Sequence, residues 1–170
     1  MKSMVIYFSR TDENYFGGKM KYIDKGNTEV IAEYIKDIVG ADLFKVERKI
    51  PYSANYQKCI AEAQEEQRAN ILPELVNYLD DISNYDVIYI GGPIYWGTLP
   101  QPMFSELSRL NFDGKTIMPF STHEGSGLAS IVSDIKKYAK GATIKSGLAI
   151  YGSNVYKEKE KVEQWIKTNI

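Results

Sequence analysis

The chain has 170 residues, 44 % of them hydrophobic and 25 % charged, with a formal net charge of −1. That size and balance suit one globular domain over residues 1–170 with a sizeable core, and the near-zero charge excludes the basic footprint of a nucleic-acid binder. No stretch approaches the roughly 20 apolar residues of a membrane span, MKSMVIYFSR turns polar too early for a signal peptide, and the single cysteine, Cys59, excludes an internal disulfide and a cysteine metal cluster.

The elements alternate along the chain. Residues 3–8, SMVIYF, form a short apolar run with β-branched and aromatic members, expected as a first strand. Residues 12–25 contain NYFGGKMKYI, two short arms around Gly17-Gly18, which suggests a β-hairpin. TEVIAEYIKDIVG then places Val30, Ile31, Tyr34, Ile35 and Ile38 on one helical face, with Gly40 as the stop. DLFKV (42–46) reads as the second strand, and the Ala-, Glu- and Gln-rich residues 54–69 as a helix carrying Cys59, a thiol either packed or reactive. Pro73 is expected to start a shorter helix with Leu75, Val76 and Leu79.

DVIYIGG (86–92) is the third strand, followed by a helix led by Pro102 that carries Phe104, Leu107 and Leu110. TIMPFS (116–121) is the fourth strand, and GLASIVSDIKKYAKG the next helix, with Leu128, Ile131, Val132, Ile135 and Tyr138 aligned. SGLAIYG (146–152) is the fifth strand, and the last helix turns Val162, Trp165 and Ile166 inward and its charges to solvent. A βα series of this kind predicts a doubly wound α/β domain with a parallel sheet. Right-handed crossovers bring all strand C-termini to one edge, where ligands bind. The loops after strands 1, 3 and 4 therefore matter most.

The loop after strand 1 contains a split motif. Without residues 12–25, Ser9-Arg10-Thr11 joins Gly26-Asn27-Thr28 and runs into a helix. Hydroxyls, a glycine and free N–H groups at a helix N-terminus make an anion site, suited to a phosphate. The alternative is that Asn27 or Thr28 is a plain helix N-cap. The loop after strand 3, GGPIYWGTLPQP, holds Tyr95 and Trp96 on a stretch stiffened by proline, and their alternative is packing against a neighbouring loop or a dimer partner. The loop after strand 4, STHEGSG, can bring backbone donors close to a flat ligand. A phosphate end and a flat aromatic end together describe flavin mononucleotide (FMN), with ring stacking worth about 0.5–1.5 kcal/mol beyond burial.

These three loops resemble those of the flavodoxin family, whose phosphate loop reads Ser/Thr-x-Thr-Gly-x-Thr after strand 1. The resemblance extends over residues 1–168. It implies a three-layer sandwich: a five-stranded parallel sheet in the order 2-1-3-4-5 with helices on both faces, and tight noncovalent FMN. It assigns Ser9, Arg10, Thr11, Asn27 and Thr28 to the phosphate, Pro93, Ile94, Tyr95, Trp96 and Gly97 to the ring, and Thr122, His123, Glu124, Gly125 and Ser126 to its pyrimidine side. Which of Tyr95 and Trp96 stacks on the ring stays open. His123, the only histidine, is either a modulator of the flavin or a solvent-facing loop residue.

Two departures stand out. The phosphate loop is interrupted by the hairpin, which is a lid, a partner surface or decoration. The net charge of −1 differs from the strong acidity of electron-shuttling flavodoxins. The expected function is an FMN flavoprotein of electron transfer or oxidoreduction in the cytoplasm. Its partner is a redox protein or a quinone-like acceptor, and the chain is a monomer or homodimer. The alternative is a small NAD(P)H-dependent FMN quinone reductase. A non-catalytic or phosphoryl-chemistry domain fits poorly: the strand tips are Ser9, Gly91 and Ser121 rather than acidic, and the first loop has no cysteine nucleophile.

Overall fold

Alternate residues of β1 (Ser3–Tyr7) and its neighbours face opposite sides of one sheet, and each side has its own core. Met4, Ile6, Ile88, Ile90 and Ile117 face one way; Val5, Tyr7, Val87, Tyr89 and Met118 face the other. The two-residue side-chain period of a strand dictates this split, and a sheet buried on both faces explains why the strands read as unbroken apolar runs. The structure is a computed structural model and describes residues 1–170.

The sheet contains β4 (Asp42–Lys45), β1, β5 (Val87–Pro93) and β6 (Thr116–His123) in that spatial order, all parallel. The far edge is shared by two short pieces, β7 (Thr143–Ile144) and β8 (Leu148–Tyr151), both parallel to β6. Counting these two as one broken strand, the expected 2-1-3-4-5 order holds. The expected run 146–152 holds only the second piece, Leu148–Tyr151, and the first piece, Thr143–Ile144, lies before it. β5 and β6 run on to Pro93 and His123, so Thr122 and His123 lie on a strand end.

Helices α1 (Asn27–Val39) and α5 (Lys159–Asn169) cover one face through Val30, Ile31, Ile35, Val162 and Trp165. A six-residue 3₁₀ helix, Gly152–Lys157, precedes α5. Helices α2 (Tyr56–Arg68), α3 (Gln101–Leu107) and α4 (Ile131–Tyr138) cover the other through Cys59, Ala63, Met103, Leu107 and Ile135. This is the three-layer α/β sandwich. α1 stops at Gly40 in the left-handed region, φ 70°, whose N–H closes on the Lys36 carbonyl at 2.8 Å.

Three expected helices differ. α3 ends at Leu107, so Leu110 lies beyond it. No helix begins at Pro73: the backbone of 74–76 instead pairs with 47–49, Lys49 N–H to Glu74 O and Val76 N–H to Glu47 O, both 2.9 Å. Leu75 is buried while Val76 is 52 % exposed, the two-residue alternation of an extended strand rather than a helical stripe. α4 starts only at Ile131, because Gly127 (φ 63°) and Ala129 (φ 44°) hold the preceding turn in the left-handed region.

The segment after β1 forms a separate antiparallel hairpin, β2 (Asp12–Phe16) and β3 (Lys19–Ile23), turning at Gly17-Gly18 with φ 67° and 82°. Only glycine adopts such angles cheaply.

Candidate functional site

The C-terminal ends of β1, β5 and β6 and the N-terminus of α1 meet at one cleft of about 540 Å³. Ser9 stands behind its wall. Its hydroxyl accepts the Glu29 N–H at 3.1 Å and so serves one of the unpaired donors of the first turn of α1. Gly26 is the N-cap, and a Cβ there would stand 2.7 Å from the Arg10 carbonyl oxygen and 2.9 Å from the Arg10 nitrogen. Glycine is required by this close approach, not by backbone angle, since φ is −65°. The two arms of the split motif therefore do meet in space. Thr28 and Thr122, both buried, share a hydroxyl–hydroxyl bond of 2.8 Å that joins α1 to β6.

The loop after β5 forms a two-residue hairpin turn. Tyr95 N–H bonds the Thr98 carbonyl at 2.7 Å, and Trp96 and Gly97 sit at φ 52° and 83°. Both central residues in the left-handed region define a type I′ turn, a conformation a bulky tryptophan adopts only under constraint. The constraint is visible: the Trp96 indole N–H donates to Ile60 O at 2.8 Å, and the Gln67 amide donates to the Tyr95 and Trp96 carbonyls. Trp96 remains 47 % exposed on the cleft wall. Tyr95 turns inward, its ring edge-on to Phe8 at 5.8 Å and Tyr52 at 6.0 Å, its hydroxyl beside Cys59 Sγ. Burial holds the Tyr95 hydroxyl well above its usual pKa. Of the two aromatics, Trp96 is the one with a free face.

The loop after β6 is braced from inside. Ser121 Oγ donates to Gly127 O at 2.7 Å, and Ser130 N–H bonds Gly97 O at 2.9 Å, tying this loop to the type I′ turn. His123 Nδ1 accepts the Gly125 N–H at 2.9 Å, which fixes the neutral tautomer with the proton on Nε2. Its ring lies 4.4 Å from that of Tyr151. Burial, and then the positive charge of Lys161, push the His123 pKa below its usual value.

The hairpin of β2 and β3 lies across the cleft and is fixed at its base and in its middle. At its base, Arg10 donates through Nε to Glu13 O and through Nη2 to Ser53 O and Ala54 O, while the Asn14 amide donates to Arg10 O and Thr11 O. In the middle, Glu13 accepts the Tyr56 N–H at the start of α2, and the Tyr15 ring meets Tyr56 edge-on at 5.0 Å. At the tip, the Glu124 carboxyl faces the amides of Gly17 and Ser153.

Arg10, Asn27, Thr28, Pro93, Ile94, Tyr95, Trp96, Thr122, His123, Glu124 and Ser126 all line the cleft. Ser9, Thr11, Gly97 and Gly125 stand behind the wall rather than on it. Sequence reasoning missed three contributions, one of them Gly152 just past the end of β8. Asn14, Tyr15 and Gly18 enter from the hairpin, and Tyr56, Cys59, Ile60 and Ala63 enter from α2. The α2 group had a signal: positions 56, 59, 60 and 63 follow the i, i+3, i+4, i+7 spacing of one helix face.

A doubly wound sheet with its cleft at the strand C-termini defines the mononucleotide-binding class of α/β proteins. A family model described as Flavodoxin matches residues 20–169. The chain belongs to the flavodoxin family. No curated protein matches it. Among solved structures, a candidate flavoprotein of Bacteroides uniformis ATCC 8492 superposes with a TM-score of 0.75 at 24 % identity, covering 98 % of this chain and 97 % of the other. A candidate flavoprotein of Bacteroides eggerthii DSM 20697 gives 0.76 at 23 % identity, with 99 % and 97 % covered. A flavoprotein of Lactobacillus acidophilus NCFM, solved in complex with FMN, gives 0.62 at 22 % identity, with 92 % and 97 % covered. At these identities the likeness concerns the fold.

Proposed function

We propose that this cleft binds FMN and that the protein works as a flavoprotein of electron transfer or oxidoreduction. The observation that carries the reading is the pairing, in one cleft, of an open helix N-terminus and a free aromatic face. At one end, the N–H groups of Asn27 and Thr28 belong to the first turn of α1, where the helix has no carbonyl to offer them. A phosphate of about −1.5 to −2 charges suits those donors and the positive end of the helix dipole. At the other end, Ile94 and Trp96 oppose the Thr122–Ser126 segment across the cleft. The volume of about 540 Å³ suits a ligand of this class. A relative of the same fold was crystallised with FMN, which supports the same cofactor here.

The residues divide the work. Asn27 and Thr28 hold the phosphate with their backbone N–H donors. Trp96 and Ile94 cover one face of the ring, and Thr122, His123 and Ser126 present polar groups to its edge. Ser9, Thr11, Gly97 and Gly125 shape the loops from behind. FMN, when bound, supplies the capacity to take up and release electrons. His123 is neutral at neutral pH and carries its proton on Nε2, so it serves as a hydrogen-bond donor beside the ring rather than as a cation.

A second reading, a small NAD(P)H-dependent FMN quinone reductase, is favoured by two observations. The net charge of −1 gives little steering toward a basic redox protein, and the hairpin walls the cleft with Asn14, Tyr15 and Gly18. No helix is long and apolar enough to cross a membrane, and we place the activity in the cytoplasm. The test is direct. Purified protein should be yellow, release FMN on denaturation, and rebind added FMN one to one. Colourless protein that fails to take up FMN rejects the flavoprotein reading. NAD(P)H oxidation with menadione by this protein alone separates the reductase from the shuttle.

A further inference from the structure

The side chain of Arg10 is 8 % exposed, lines the cleft, and forms no ion pair with any carboxylate. A buried charge without a counter-charge is costly, so a chain that keeps one there has a use for it. Of its five N–H donors, three are spent on carbonyls: Nε on Glu13, and both hydrogens of Nη2 on Ser53 and Ala54. The remaining two are on Nη1, which has no protein partner and is not sealed from the cleft. The bonds to Ser53 and Ala54 place the guanidinium beside the start of α2, the helix capped by Asn55. None of its three hydrogen bonds goes to the first turn of α1.

The walls around that position are flat and largely apolar. Tyr15 and Tyr56 meet edge-on at 5.0 Å on the hairpin side, and Ile60 comes from α2. We propose that this half of the cleft, between the hairpin and α2, is a separate subsite for a small planar aromatic acceptor bearing a carbonyl or acidic oxygen, with Arg10 Nη1 as its recognition group. The inference rests on the flavoprotein reading above, since the other half is left to FMN. A rigid guanidinium fork with two free donors recognises such an oxygen better than an ammonium does. Fixed side walls select for flatness and small size, so the subsite excludes a docked protein.

The probe is anthraquinone-2-sulfonate, titrated calorimetrically into the FMN-loaded protein, with FMN affinity measured separately by flavin fluorescence. Wild type should bind one probe per chain without releasing FMN. Arg10→Gln should weaken the probe tenfold or more and FMN by less than threefold. Arg10 also ties down the hairpin, so Tyr56→Ser, which leaves all three Arg10 bonds in place, is the second variant; it should weaken the probe at least threefold. Probe affinity independent of Arg10 and Tyr56, release of FMN by the probe, or equal loss of probe and FMN in Arg10→Gln each overturns the subsite. A chain that takes up no FMN overturns the flavoprotein reading and this inference with it; a chain that holds FMN but binds the probe without Arg10 overturns this inference alone.

Discussion

Thr28 and Thr122 lie 94 positions apart and share a single 2.8 Å hydrogen bond between buried hydroxyls. The bond crosses the floor of the cleft from the first turn of α1 to the end of β6. It therefore sets the spacing between the proposed phosphate end and the proposed ring end of the site. Thr122→Val leaves the Thr28 hydroxyl buried and unpaired, a loss of about 1–3 kcal/mol. Urea unfolding should show that loss, and the double variant Thr28→Val/Thr122→Val should recover part of it. A double variant less stable than the sum of the singles removes the direct coupling.

Gly26→Ala should be among the most damaging small changes in the chain. The new methyl would press on the Arg10 backbone and on Ser9 Oγ, the hydroxyl that serves Glu29 N–H. Overpacking of this kind costs about 1–3 kcal/mol, and here it also disturbs the phosphate turn. A lower Tm and at least tenfold weaker FMN binding are expected together. Unchanged FMN affinity would show that the turn adjusts freely.

The sheet was legible in the sequence because burial on both faces leaves continuous apolar runs, as in SMVIYF and DVIYIGG. The hairpin was legible from Gly17-Gly18, which have little other use for adjacent positive φ. Two kinds of information were not local. The Pro73 segment has helix-like spacing, but its backbone is claimed by residues 47–49, a pairing that no window of sequence contains. Likewise, the sequence groups Ser9-Arg10-Thr11 as one phosphate loop, whereas the fold sends the Arg10 side chain to Ser53 and Ala54. Motif spacing fixes where the backbone goes; a long side chain chooses among partners that only tertiary packing supplies.

Trp96 separates stability from function. At φ 52° it sits where glycine is comfortable and tryptophan is strained, by about 1–3 kcal/mol. Trp96→Gly relieves that strain and loses the bond to Ile60 O, worth about 0.5–1.5 kcal/mol. The two changes offset, so stability should stay within about 1 kcal/mol of wild type. FMN affinity should nevertheless fall tenfold or more, because the free aromatic face is gone. Loss of stability with FMN affinity intact would mean that the ring serves only α2.

His123 should report on its loop as pH falls. Its folded pKa is depressed, so the neutral ring stabilises the native state above the unfolded value of about 6.5. That contribution declines as pH drops below about 6.5 and is lost through the lower folded value. Protonation also removes the Nδ1 acceptor from the Gly125 N–H. The Gly125 amide resonance should therefore titrate with the imidazole, with a midpoint below 6.5. His123→Ala should abolish that titration and flatten the acid limb of the stability profile. A Gly125 amide that does not move while the ring titrates breaks the link.

The hairpin can be removed without opening either core. Its strands pair only with each other, none of its residues belongs to either core, and its ends already touch where Arg10 meets Gly26. Joining Thr11 to Gly26 restores the uninterrupted order Ser9-Arg10-Thr11-Gly26-Asn27-Thr28. The shortened chain should fold, with a Tm within a few degrees of wild type, and should still bind FMN through α1 and Trp96. The hairpin covers the cleft through Tyr15 at its middle and Gly17 at the Glu124 tip. Its removal should therefore speed FMN dissociation tenfold or more while slowing association little, as expected when a cover is lost and the docking surface kept. Stopped-flow fluorescence separates the two rates. An unchanged off-rate would reduce the hairpin to decoration, and a chain that loses FMN binding altogether would place the hairpin among the residues that hold the phosphate.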